Sequence, residues 1–283
     1  VAELLGHPNC TIEDQLIDAA DGFQLRVITF TPTDAKAAAR APVMLVPGWT
    51  SVIEGWEPLL RKWTQQRLIH YIETREKVTA NPPEGRKLTK HDFTMDKNIA
   101  DLAKVAESLE TNMNEVDWFA SSLGASAVLD GLAKGELQGR SAFMLAPNTE
   151  FKFPLWTIPF TWLPWWFYPP VLRYILTPYL KWKLKEEKQF IRYRRTLRNA
   201  HVYRLKRSVQ ANKKFKLAED LSNIHIPVAI CVASSDVMHA EGAAHNIAAK
   251  LPKGELVEVP SNQYAHEAEV ISDIDEWLAR NLQ

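Results

Sequence analysis

The sequence predicts an α/β fold, with a mostly parallel central sheet flanked by helices. Three observations predict it. Short apolar runs of strand character alternate with segments of helical spacing along most of the chain. The alternation breaks once, over residues 148–225, where no strand pattern occurs. And 46% of the 283 residues are hydrophobic, which is ample for one sizeable core. The central runs are continuously apolar rather than alternating, as strands covered on both faces require.

Residues 15–31, "QLIDAADGFQLRVITFT", alternate around Asp21-Gly22 and read as a β-hairpin. "APVMLVPGW" (41–49) is a short apolar strand, "EGWEPLLRKWTQQ" (54–66) has helical spacing, and "RLIHYIET" (67–74) is another strand. "DKNIADLAKVAESLETN" (96–112) is an amphipathic helix with Asp96 as its expected N-cap. A strand over 115–121, a helix over 123–135 ending near Gly135, and a strand over 140–147 follow. After the break come a strand at 226–235, a helix at 240–251, a strand at "ELVEVP" and a last helix at "AEVISDIDEWLARNL". The organisation expected is therefore a core of 1–147 and 226–283, with a helical cap, 148–225, inserted after the sixth strand. No internal repeat is visible.

Formal net charge is zero, so global charge selects no partner. The charge is segregated, however: residues 151–220 carry 16 Lys and Arg against 4 Asp and Glu. Two cysteines, Cys10 and Cys231, lie far apart, and Cys231 sits in an apolar run as a buried free thiol would. No spacing resembles a zinc site, and no nucleic-acid-binding motif accompanies the basic run. "VAELLGHPNC" lacks a basic segment followed by an apolar run, so no signal peptide is expected and the cytoplasm is the expected compartment.

The chemistry centres on "VDWFASSLGASAVLDGL" (116–132), a strand running into a helix. A nucleophilic serine on such a turn is forced into a strained conformation, so the residues two before and two after it must be small. Ser122 has Ala120 and Gly124 there. Ser121 would have Phe119 and Leu123, and Ser126 falls inside the helix. The helix N-terminus would favour negative charge at Ser122. A serine nucleophile also needs a base, an orienting acid and oxyanion donors. Asp236 follows the strand "VAICVASS" and His266 follows "ELVEVPSNQYA", each just past a strand end, where sheets of this kind carry functional groups. Glu150, past "AFMLAPNT", is the alternative acid. The expected oxyanion donors are the backbone N–H groups of Leu123 and of Trp49, with Gly48 letting the chain turn beside them.

On these pieces the chain resembles the α/β-hydrolase superfamily along nearly its whole length, the cap matching only in position. The matching stretches are "LIDAADGFQLRV", "VMLVPGW", "VDWFASSLGA", "ASSD" with Asp236, and "NQYAHE" with His266. The elbow departs from the usual pattern at Ala120, and Pro47 and Ser121 stand where many members have His. The resemblance implies a Ser122–His266–Asp236 triad with no metal and no cofactor.

The cap carries the substrate question. "FPLWTIPFTWLPWWFYPPVL" (153–172) has no charge, five prolines and the tryptophans Trp156, Trp162, Trp165 and Trp166, followed by Phe167. The prolines argue against a membrane-spanning helix. Two readings stay open: these aromatics line an acyl pocket, or part of the block dips into an anionic membrane surface helped by the basic run 181–208. Both imply an apolar acyl group. The expected activity is a serine carboxylester hydrolase for lipid-like esters, of the monoacylglycerol or lysophospholipid class. The alternatives are a thioesterase or acyltransferase with the same triad, or a membrane-associated binding protein with the triad idle.

Overall fold

The computed structural model describes residues 5–151, 164–184, 186–233 and 242–282, the Trp165 side chain excepted. Eight strands form one sheet: β1 (Cys10–Asp18), β2 (Gln24–Pro32), β3 (Val43–Val46), β4 (Ile69–Ile72), β5 (Asp117–Ser121), β6 (Ser141–Leu145), β7 (Val228–Ala233) and β8 (Gly254–Val259). Their spatial order is β1-β2-β4-β3-β5-β6-β7-β8. β1 and β2 form the expected hairpin, Gly22 taking the left-handed conformation (φ +80°) in its turn. The hairpin begins earlier than its clearest alternation, at Cys10. β2 pairs antiparallel with β4, and every pairing from β4 to β8 is parallel.

The helices are α1 (Ala35–Ala38), α2 (Glu57–Trp63), α3 (Met95–Ser108), α4 (Leu123–Ala133), α5 (Tyr168–Val171), α6 (Thr177–Lys183), α7 (Glu187–Asn199), α8 (Val202–Asn212), α9 (Ala243–Lys250) and α10 (Val270–Asn281). Alternate strand residues serve opposite faces of the sheet. Met44, Val46, Trp118 and Ala120 pack with α3, α4 and α9, whereas Leu45, Phe119 and Phe143 pack with α2 and α10. Burial on both faces is why β3 to β6 read as unbroken apolar runs.

Two local expectations are corrected. The third helix starts slightly earlier than expected: Thr94, not Asp96, is the N-cap, its hydroxyl accepting from the Lys97 N–H. Asp96 lies in the first turn and pairs with Lys134 from the end of α4 at 2.7 Å. The 54–66 segment opens as a 3-10 turn, Ile53–Trp56, and becomes α-helical only from Glu57, with Pro58 in its first turn where a missing N–H is harmless.

Between β6 and β7 the chain forms α5 to α8, with a π-helical turn at Leu172–Leu176 joining α5 to α6. No described helix is long and apolar enough to cross a membrane. Cys231 lies buried in β7, where burial pushes its thiol up to about 12, and Cys10 lies in β1.

Candidate active site

β5 ends at Ser121 and α4 begins at Leu123, so Ser122 alone makes the turn. Its backbone takes φ +50° and ψ −112°, a region a residue with a Cβ rarely adopts. The surrounding structure holds it there. The Ser122 N–H donates to the Leu145 carbonyl at 2.8 Å, and its carbonyl accepts from the Ser126 N–H at 2.9 Å. The steric rule has a direct cause: a Cβ on Gly124 would lie 2.5 Å from the Val46 carbonyl oxygen and 2.8 Å from that of Pro47. Ala120 sits opposite Val46 in the parallel ladder, fully buried.

The loop after β3 runs alongside this elbow. A Cβ on Gly48 would lie 3.3 Å from the Ser122 Cβ and 3.5 Å from the Ser121 carbonyl. That brings Gly48 beside the serine, and Leu123 takes the first position of α4. Thr50, next in this loop, is itself held at φ +52°.

Ser122 Oγ accepts a hydrogen bond from Asn148 Nδ2 at 3.3 Å. Asn148 follows β6 and is pinned by Ser126, whose hydroxyl accepts from the Asn148 N–H at 2.9 Å and lies 3.0 Å from its carbonyl. Ser126 is thus a buried brace beneath the elbow. Glu150, the alternative acid, is exposed, and its backbone bridges to Lys216.

His266 lies in a 3-10 turn after β8 and is buried. Its Nδ1 is 3.0 Å from the Asn262 carbonyl. A carbonyl only accepts, so this contact places the proton on Nδ1 and leaves Nε2 as the basic nitrogen. The ring stacks on Trp56, with centroids 4.1 Å apart and 28° between planes. Trp56 comes from the turn that follows the Gly48 loop, and its indole N–H donates to Ser51 Oγ at 3.3 Å. Among the described residues, the Asn148 amide is a side-chain partner of the Ser122 hydroxyl. Asp236, Trp156, Trp162 and the Trp165 side chain lie outside the described residues. Trp166 and Phe167 stack on each other at 4.0 Å and are exposed by 57% and 42%.

Basic residues of α7 and α8 reach these loops. Arg192 donates to the side chains of Asn262 and Gln263 in the histidine loop, to Gln263 at 2.7 Å. Arg195 reaches the Glu54 carbonyl, and Lys188 pairs with Glu267. Arg204 is buried and donates to the carbonyls of Lys77 and Ala80. Part of the basic run's charge thus fastens these helices to the core.

Asn148, Trp56 and the Arg192 tie were missed in the sequence. The signal for Asn148 was its place just past a central strand, the same criterion that brought Glu150 forward.

No family model matches the chain, and no curated protein matches it. Solved structures do. An esterase from Thermogutta terrifontis, determined with malate bound, aligns at a TM-score of 0.73 and 14% identity, covering 96% of this chain and 100% of that one. A hydrolase from Pseudomonas aeruginosa aligns at 0.71 and 14%, covering 95% and 98%. The epoxide hydrolase CorEH aligns at 0.64 and 17%, covering 96% and 100%.

Proposed function

We propose that this chain, which has the α/β-hydrolase fold, is a serine carboxylester hydrolase for lipid-like esters of the monoacylglycerol or lysophospholipid class. The observation that carries the reading is Ser122 held at φ +50° between β5 and α4, beside the Gly48 loop. A strained serine at a helix N-terminus, next to backbone amides, is suited to attack and to stabilise an acyl-enzyme. His266, with Nε2 as its basic nitrogen, takes the Ser122 proton as the hydroxyl attacks the ester carbonyl. The Trp49 and Leu123 N–H groups hold the oxyanion, and Asp236 steadies the imidazolium. His266 then returns the proton to the leaving alcohol, and water releases the acid. A serine at this position argues against epoxide opening, which calls for a carboxylate nucleophile.

The lipid class is supported by the outer face of the insertion. Among the described residues, six of the eight exposed large hydrophobics are Trp166, Phe167, Tyr174, Ile175, Trp182 and Ile191, all in the insertion. From 151 to 185 the sequence has five Lys or Arg and no acid. Aromatic side chains among cations suit the headgroup region of an anionic bilayer, from which a lipid ester would be drawn.

Fluorophosphonate labelling tests the triad: it is expected in the wild type and lost in Ser122→Ala and His266→Ala. A p-nitrophenyl ester series, run with and without phosphatidylglycerol vesicles, tests the substrate. Preference for long acyl chains is expected, and a rate maximum at acetate would reject the lipid class.

A further inference from the structure

The segment after β4, "ETREKVTA" (73–80), places a buried carboxylate and a buried ammonium under the Gly48 loop. Glu76 and Lys77 are only 1% and 6% exposed, and their charged ends lie 3.8 Å apart. Glu76 Oε1 accepts from the Thr50 N–H at 3.1 Å and from Thr74 Oγ1 at 2.8 Å. Lys77 Nζ donates to the Gly48 carbonyl at 3.2 Å and to the Ser51 carbonyl at 2.7 Å.

The segment is itself firmly held. Arg75 reaches Asp101 of α3, Asp21 of the hairpin turn and the Asp92 carbonyl. Arg204 of α8 grips the Lys77 and Ala80 carbonyls from the other side. Burying an ion pair is costly, and its retention here calls for a use.

The Gly48 carbonyl and the Trp49 N–H belong to one peptide unit. That carbonyl accepts twice, from Lys77 Nζ and from the Ser51 N–H at 3.0 Å. Charge drawn toward the carbonyl oxygen leaves the N–H at the other end of the peptide a stronger donor, because hydrogen-bonded dipoles in series polarise one another. Glu76 meanwhile occupies the Thr50 N–H, and the Gly48 carbonyl occupies that of Ser51. Trp49 is the residue of this loop whose N–H the serine-hydrolase reading assigns as an oxyanion donor.

We propose that Lys77, set in place by Glu76, is a positioning residue that polarises the Gly48–Trp49 peptide and strengthens the Trp49 N–H as an oxyanion donor. This rests on the serine-hydrolase reading above. The effect is made in the transition state, where negative charge develops on the substrate oxygen, and not on the neutral ester.

Lys77→Met keeps most of the length of the side chain and removes its charge. Glu76→Gln/Lys77→Met removes both charges of the pair, while the amide oxygen introduced by the first substitution still accepts from Thr50 and Thr74; it serves if the single variant does not fold. In either variant we expect kcat on p-nitrophenyl esters to fall by roughly tenfold or more, less than the loss of a whole oxyanion donor, with KM within about twofold. Affinity for an alkylboronic acid, which forms a tetrahedral adduct on Ser122, should fall by a similar factor, and affinity for the free fatty acid should not change. A folded variant with wild-type kcat, or with reduced kcat and unchanged boronate affinity, overturns the inference alone. A wild type that neither turns over esters nor takes fluorophosphonate overturns the serine-hydrolase reading and the inference with it.

Discussion

The sheet core and helices α7 and α8 bury opposite kinds of residue. In β3 to β6 the buried positions are mostly apolar, and the buried Asp117 is paired with Arg67, Arg140 and Ser141. In α7 and α8 the buried side chains are Gln189, Thr196, Arg204, Ser208 and Asn212, while large aromatics of the preceding turns stand in solvent. The core is held by packing that fixes one arrangement. The insertion is held on through hydrogen bonds to loops that carry Ser122's neighbours and His266. Helices that turn polar groups inward, beside aromatics that stand in solvent, are what the lipid interface proposed above would call for.

Four variants test this contrast, from the largest expected effect to the smallest. Gly124→Val would force a Cβ to 2.5 Å from the Val46 carbonyl, a backbone group that cannot swing away. We expect a loss of more than about 3 kcal/mol in urea unfolding, or failure to fold. A near-neutral result would show that the elbow is far more pliable than the core around it.

The second concerns charge in the core. Burial holds the His70 imidazole down at about 4, against an ordinary 6.5, and its Nδ1 lies 2.9 Å from Thr29 Oγ1. A folded-state value below the unfolded one means the neutral ring is favoured by folding. Its contribution is therefore complete above the unfolded value of 6.5 and is lost as pH falls from there toward 4. Unfolding free energies measured at about pH 7, 5.5 and 4 should decline, and His70→Gln should flatten that decline.

Third, Arg192→Ala removes the tie from α7 to Asn262 and Gln263. We expect about 1–2 kcal/mol of lost stability from the broken hydrogen bonds and a roughly tenfold lower kcat as the His266 loop loosens. An unchanged kcat would detach the insertion from the chemistry. Last, Trp166→Ala/Trp182→Ala should leave stability within about 0.5 kcal/mol, as for ordinary surface changes, since Trp182 is 82% exposed. Co-sedimentation with phosphatidylglycerol vesicles should weaken, whereas turnover of a short soluble ester should not. Undiminished vesicle binding would reject the interfacial role.

What the sequence revealed and what it hid divide along physical lines. The succession of strands and helices along the chain was legible, as was the place of Ser122, rather than Ser121 or Ser126, at the strand-to-helix turn, because each follows from local sterics and from a period of two or 3.6. His266 was legible as a position past a strand end. Its Trp56 stack was not, since Trp56 and His266 lie 210 residues apart and only the folded sheet brings them together. Asn148 stands just past a central strand, but nothing local shows that its amide reaches Ser122. Glu76 and Lys77 were hidden for another reason: a run of charges reads as solvated, and only the hydrogen-bond partners waiting in the Gly48 loop reverse that reading. Thr94 displaced Asp96 as a helix cap, a choice that two good caps so close in sequence leave to tertiary context.

The polar seam under α7 and α8 also has a calorimetric consequence. Lifting those helices would expose mainly guanidinium, amide and hydroxyl groups, whose hydration lowers heat capacity, whereas melting the sheet exposes apolar surface that raises it. Detachment of α7 and α8 should thus register as a low-heat-capacity event, nearly flat with temperature, beneath the steep unfolding of the core.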